Sequence, residues 1–194
     1  MATPPFAADA AYVIKRPFFS FFDRTFRVYD AGGAMVLFVR HPLLRLRTEF
    51  RLFADEAMLH AVAAIQARQA LAINFAYDVT DPNDGRRLGT LRSRGFRSIV
   101  RDTWDLLGES EQEIGIMTED GWSMLRHLVP ILVGHWHVEV GGETVATIDQ
   151  RFRLFTKEYR LTIHASRSGV DPRFLMACAL LALMREDRRE ERSR

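Results

Sequence analysis

At 194 residues the chain is long enough to bury a real core within one domain, and an apolar fraction of 47% excludes a disordered polymer. The formal net charge of +2 excludes a strong commitment to polyanions, although the basic charge is almost wholly arginine, Lys15 and Lys157 being the sole lysines. A single cysteine, Cys178, excludes an internal disulfide framework and a Cys-based zinc site, and its apolar neighbours suit a small buried hydrophobe.

The first eleven residues are Ala/Pro-rich and are expected to form a flexible leader over 1–11. They show no basic region followed by an apolar one, so no signal peptide is read and the expected setting is cytoplasmic, at most peripheral to a membrane. From there one pattern repeats three times: strand, turn, strand, then an Arg-studded link into further strands. The first unit runs 26–30, turns at Ala31-Gly32-Gly33, and continues over 35–40 and 43–53. The second runs 75–81, turns at 82–85, and continues over 88–92 and 98–107. The third runs 136–140, turns at Gly141-Gly142, and continues over 144–148 and 151–163. Starts at residues 26, 75 and 136 give a period of roughly fifty to sixty residues, the signature of a repeated unit.

Within the units the hydrophobic period is two. Leu44, Leu46, Phe50 and Leu52 alternate with Arg45, Arg47, Glu49 and Arg51, so one face is buried and the other wet. Tyr159, Leu161 and Ile163 alternate with Arg160, Thr162 and His164 in the same way. Pro82-Asn83-Asp84-Gly85 and Gly141-Gly142 carry hairpin turn chemistry. One stretch is in conflict: 55–69 is Ala-rich and locally favours a helix, whereas the repeat demands a strand over 59–69. The repeat is preferred. A short helical crossover is expected over 121–128, before Pro130.

The C-terminal segment differs. Asp171 is placed to cap a helix and Pro172 to occupy its first position. The apolar run 174–184 has no polar face, so the helix must be buried on every side. At eleven residues it is short of the roughly 20 that span a bilayer. A wholly apolar helix after three β units asks for a β enclosure around it. The densely charged 185–194 then returns to water.

The chain resembles the LURP-one-related proteins, relatives of the phospholipid scramblases that share the tubby C-terminal fold. The matching residues are the strand Tyr77-Asp78-Val79-Thr80-Asp81, then Leu88-Gly89-Thr90-Leu91-Arg92, then Ser98-Ile99-Val100-Arg101-Asp102-Thr103-Trp104. Glu113-Ile114-Gly115, Leu125-Arg126 before Pro130, and the apolar helix ending near Glu186 complete the series. The resemblance covers roughly 12–187, which it makes a single domain, with 188–194 a charged tail. It implies a mainly β fold: a closed twelve-stranded β-barrel enclosing a central hydrophobic C-terminal helix. Four strands per unit agrees with that count. Eukaryotic scramblases carry a Pro-rich leader, a cysteine cluster and an acidic calcium-binding segment; this chain has a short leader, one cysteine and no acidic loop of calcium-ligand spacing. Tubby-like domains bind phosphoinositide headgroups through basic residues, and the resemblance extends that expectation to anionic phospholipid or a membrane surface as partner.

Arg86, Arg87, Arg92, Arg94, Arg97 and Arg101 form the densest basic cluster and are the candidate headgroup-binding residues, because guanidinium forks and exposed amides suit phosphate. The competing reading is a solvated barrel face. Nucleic acid is disfavoured, since no aromatic stripe interleaves the arginines. His135, His137 and Glu139 share one face of a strand in a metal-capable spacing. They are read as exposed and non-ligating, so neither metal nor cofactor is expected. His41, His60, His127 and His164 are scattered, without a visible partner. Asp102 is expected to need a charged partner near the core. No nucleophile elbow, P-loop, dinucleotide-binding glycine pattern or HExxH is present. The expected function is a non-enzymatic binding module with weak affinity for anionic headgroups. The alternatives are a protein-interaction scaffold and, remotely, a metal-dependent enzyme.

Overall fold

The computed structural model describes residues 6–17, 23–42, 49–68, 76–94, 103–120, 135–151 and 156–192. The expectations placed on 43–46, on 121–128, and on Arg97, Arg101 and Asp102 lie outside these residues. Twelve strands are described: β1 (Asp9–Pro17), β2 (Asp23–Tyr29), β3 (Met35–Pro42), β4 (Glu49–Phe53), β5 (Ala61–Arg68), β6 (Ala76–Thr80), β7 (Arg87–Ser93), β8 (Thr103–Leu107), β9 (Glu113–Glu119), β10 (His135–Val140), β11 (Glu143–Arg151) and β12 (Thr156–His164). They pair in chain order, all antiparallel, and β1 closes on β12. The three units are visible as β2–β5, β6–β9 and β10–β12, the last completed by β1. A closed barrel has no edge strand to offer to another sheet.

Alternation sets the faces. Tyr12 and Ile14 on β1, Phe26 and Val28 on β2, Leu37 and Val39 on β3, and Trp136 and Val138 on β10 are all buried in the interior. The hairpin turns between β2 and β3, β4 and β5, β6 and β7, β8 and β9, and β10 and β11 stand at one end of the barrel. Each of these five pairs slips register by a bulge next to its turn, whereas the seven other pairings run without a shift. Bulges increase local twist and bend the strand, so the curvature that closes the barrel is repeated at its turn end. Gly141 and Gly142 turn β10 into β11 with φ of 60° and 84°, the left-handed pair that a two-residue hairpin turn requires.

The one α-helix among the described residues, α1 (Pro172–Arg192), enters at the turn end and runs along the axis. Asp171 caps it, accepting the Arg173 backbone N–H at 2.9 Å. Every residue from Phe174 to Met184 is 0–6% exposed, as a run with no polar face demands. At about 1.5 Å per residue the helix crosses roughly 18 Å between Arg173 and Arg185. It lies against β5, β7 and β12, and the first two carry the small residues that admit it: Ala63 on β5 and Gly89 on β7. This is why the Ala-rich stretch is a strand despite its helical propensity. At the far end Arg185 stacks over the buried Trp104 ring at 4.7 Å and its guanidinium donates to the Ser93 hydroxyl at 3.3 Å.

β1 begins at Asp9, where Asp9, Ala10 and Ala11 pair with His164, Ile163 and Thr162, and Phe6 is buried edge-on against Tyr12. α1 runs past the expected apolar stretch to Arg192. No helix among the described residues is long and apolar enough to cross a membrane.

Leu180 is fully buried in the middle of the axis, so Leu180→Asp places an unpaired carboxylate in an apolar core, and loss of soluble expression is the expected outcome. A Cβ at Gly89 would lie 2.6 Å from the Phe174 ring. Gly89→Ala is therefore expected to destabilise by about 1–3 kcal/mol, measured as a lower urea midpoint, with Phe174→Leu in the same chain restoring part of the loss.

Candidate functional site

Among the described residues, the side chains from Phe174 to Met184 are buried along the axis at 0–6% exposure. Polar chemistry is gathered at the turn end and on the outer face. At the mouth where α1 enters, the Arg173 guanidinium is 12% exposed and fully engaged. It donates to Asp81 Oδ2 at 2.6 Å, to the Val62 carbonyl at 3.2 Å and to Asp171 Oδ2 at 2.7 Å. One side chain thus ties the helix cap to β5 and to the turn after β6. Burial pushes the Asp81 carboxyl up, but the Asn83 backbone N–H, the Arg173 guanidinium and the Asn83 amide outweigh it and hold it below the usual carboxylate range. The Asp171 carboxylate raises Arg173 against the desolvation that opposes it, with Asp81 adding to the rise. Beside this node a groove of about 520 Å³ runs between Arg86, Leu88, Glu109, Gln112, Ser166 and Asp171.

Four of the six candidate arginines are described, and each meets a carboxylate. Arg86 donates to Glu109 at 2.5 Å and Arg87 to Glu111 at 2.7 Å. Arg92 donates to Asp105 at 3.0 Å, and Arg94 bonds both Asp105 and Glu113. Arg68 on β5 joins them, donating to Asp78 and to Glu111 at 2.6 Å each. Asp78 also accepts the Thr90 hydroxyl at 2.6 Å. Its burial raises its affinity for a proton, yet Arg68, Thr90 and Arg87 hold the carboxyl below its ordinary range. The structure thus brings Arg86, Arg87, Arg92 and Arg94 onto one side of the barrel, within a lattice of alternating charge. Sequence reasoning missed the carboxylates. Asp78 and Asp105 are outward residues on the neighbouring strands, and Glu109, Glu111 and Glu113 cluster at the β8–β9 turn; the acidic run from Glu109 to Glu113 was the available signal.

His135, His137 and Glu139 project outward from β10, and two unforeseen carboxylates join them. Asp120 follows β9, its backbone N–H donating to the His135 carbonyl at 2.9 Å. Asp149 stands opposite His135 on β11. His135 Nδ1 bonds Asp149, and its Nε2 lies 3.4 Å from Asp120 Oδ2. His137 Nδ1 lies 2.7 Å from Asp120 Oδ1, and its Nε2 3.6 Å from Glu139 Oε1. These are hydrogen-bond and ion-pair contacts; among the described residues no three His, Cys, Asp or Glu side chains are placed so that they could hold a metal ion. Elsewhere His60 bonds Asp55 at 3.1 Å, another partner the sequence did not reveal. Cys178 is fully buried in the helix, and desolvation pushes its thiol far up.

A closed antiparallel barrel around its own C-terminal helix is compatible with the tubby-like architecture. A profile of the LURP-one-related family matches residues 10–182, and the chain belongs to that family. The X-ray structure of a protein from Arabidopsis thaliana is 13% identical and matches with a TM-score of 0.54, over 92% of this chain and 93% of that one. At that identity the likeness speaks for the fold alone. No curated protein matches the sequence.

The depressed carboxyls give a pH dependence with a definite sign. A group whose folded-state value lies below its unfolded value of about 3.9 stabilises the fold above that pH. Its contribution is lost as pH falls through the folded value. Thermal melts of the wild type are therefore expected to hold level from neutral pH to about pH 5 and to fall steeply below about pH 4. Asp81→Asn is expected to lower stability at neutral pH and to flatten that acid limb. Arg173→Met, which leaves Asp81 and Asp171 without their partner, is expected to cost about 3 kcal/mol at pH 7.

Proposed function

We propose that the protein is a non-enzymatic binding module that works through the outside of its barrel, with weak affinity for anionic phospholipid headgroups. The observation that carries this reading is the filled interior: residues from Phe174 to Met184 occupy the axis at 0–6% exposure, so a partner meets the outer wall and the turns. The outer wall of the second unit presents Arg86, Arg87, Arg92 and Arg94, whose planar forks suit phosphate oxygens. Each of these guanidiniums already has a carboxylate partner, 32–47% of each side chain being exposed. A headgroup phosphate therefore competes with a carboxylate, which makes the affinity low and salt-sensitive.

A second reading is a protein-interaction scaffold. The same pairing favours it, because an ordered mosaic of both signs matches a complementary protein surface better than a uniformly anionic bilayer.

Co-sedimentation with vesicles of phosphatidylcholine, alone or with increasing phosphatidylserine, tests the first reading. The bound fraction is expected to rise with phosphatidylserine and to fall as salt is added. Arg87→Gln and Arg94→Gln are each expected to weaken binding about two- to fivefold, in keeping with exposed ion pairs of about 0.2–1 kcal/mol. Binding indifferent to the anionic fraction would overturn the headgroup reading and leave the scaffold.

A further inference from the structure

We infer that the β4–β5 turn is the anchor of a protein-docking surface, where Met58 and Leu59 bury against an apolar patch of a partner protein flanked by lysine or arginine. The inference rests on the protein-interaction reading and moves the contact from the arginine-bearing wall to the turn end of the barrel. Among the described residues Met58 and Leu59 are the exposed large hydrophobics, at 38% and 76%. They are adjacent in sequence and sit at the tip of a turn, where small and polar residues are the ordinary choice.

The backbone of the tip points the same way. Met58 has a φ of 59°, in the left-handed region that a side chain disfavours and glycine adopts freely. Other turns at this end take such a conformation at Gly33, Gly85, Gly141 and Gly142. Glu111 is the other non-glycine residue with positive φ among those described, and its carboxylate pairs with Arg68 and Arg87. That side chain has a task within the molecule. Met58 instead brings an unbranched apolar side chain to the surface, of a kind that adapts to irregular apolar partners. Strain held at an exposed apolar tip is a mark of a contact surface.

The tip is also ordered in advance. The Asp55 carboxylate accepts the Leu59 and His60 backbone N–H groups at 3.1 and 2.9 Å. The Asp55 carbonyl accepts the Met58 N–H at 3.2 Å, and Ala54 N–H donates to the His60 carbonyl at 2.9 Å. Arg27 donates to Glu56 at 2.6 Å while its guanidinium lies over the Phe38 ring at 5.5 Å, which braces the turn against β2 and β3. A turn held in this way loses little freedom on docking.

Charge selects the occupant. The β4–β5 turn stands between the β2–β3 and β6–β7 turns. Residues 30–34, 54–60 and 81–86 carry Asp30, Asp55, Glu56, Asp81 and Asp84 against Arg86 alone, and Arg86 is held by Glu109. An apolar tip within acidic turns is repelled by an anionic bilayer and matched by a basic protein surface.

The test titrates the full chain into a labelled amphipathic peptide of leucine and lysine, which reproduces that chemistry, and follows fluorescence anisotropy at low salt. Saturable binding that weakens with salt is expected. Leu59→Ser is expected to lower affinity about tenfold, and Asp30→Asn and Asp84→Asn about two- to fivefold each. Met58→Gly is expected to weaken binding while raising the melting temperature, since glycine relieves the backbone; a lowered melting temperature would tie Met58 to the fold and overturn the inference. No binding up to about millimolar peptide overturns it and leaves the headgroup reading untouched. Binding lost in Glu111→Gln but kept in Leu59→Ser places the contact on the outer wall, which overturns the inference and retains the scaffold. Vesicle co-sedimentation or self-association that depends on Leu59 also overturns it, in favour of a membrane or a second copy.

Discussion

The fold depends on a mutual requirement between α1 and the sheet around it. A helix apolar on every side has no stable place in water or at a surface. A barrel of twelve strands, conversely, closes around a space that its own inward side chains do not fill. Each supplies what the other lacks. Burial of the Leu175, Leu180 and Leu183 side chains contributes about 1.5–3 kcal/mol apiece, and none of that is available to the helix alone. Close packing then dictates local details: no Cβ at Gly89 beneath Phe174, and alanine on the inner side of β5. Where polarity returns it is handled at once, by the Asp171–Arg173–Asp81 node at one end and by Arg185 over Trp104 at the other.

The outer surface follows from the same closure. Twelve strands placed side by side bring outward residues from distant parts of the chain into rows, and the rows select for charge complementarity. Arg68, Asp78, Thr90 and Arg87 form one such row and Arg92, Asp105 and Arg94 another. The histidine-bearing face of β10 is a third, with acidic partners on both sides. A surface tiled in this way is nearly neutral despite its arginines, which accords with the net charge of the chain.

Much of the architecture could be read directly from the residues, because the features that specify it are local. Turn chemistry at Pro82–Gly85 and Gly141-Gly142, alternation in the strands, and the unbroken apolar run after Asp171 each need only a few neighbouring positions. The stretch before β6 shows a long-range term winning: alanines that favour a helix became β5 because the repeat requires a hairpin partner there, and because the plug requires small side chains on that wall. The start of β1 depends on long-range pairing in another way. Ala10 and Ala11 are weak strand formers, and only pairing with β12, at the other end of the chain, holds them in the sheet. The site residues were half legible. Arginines and histidines announce themselves by type, but their carboxylates could be found only with the register in hand. Asp149 becomes a neighbour of His135 through the β10–β11 hairpin, and the bulge between Val138 and Glu139 shifts every pairing beyond it.

The order of elements along the chain carries a consequence for synthesis. A ribosome delivers the twelve walls first and the plug last. Throughout that interval β1 lacks its partner, since Asp9 pairs with His164, and the lining residues have nothing to pack upon. Closure and plugging therefore become a single late event, dominated by contacts between distant positions and correspondingly slow. A nascent chain arrested before α1 leaves the apolar inner faces of its strands unpacked, the kind of surface that chaperones and proteases discriminate. The fold thus contains its own check on completeness: a product missing its last stretch is left conspicuous to the cell's disposal machinery, instead of persisting as a defective look-alike.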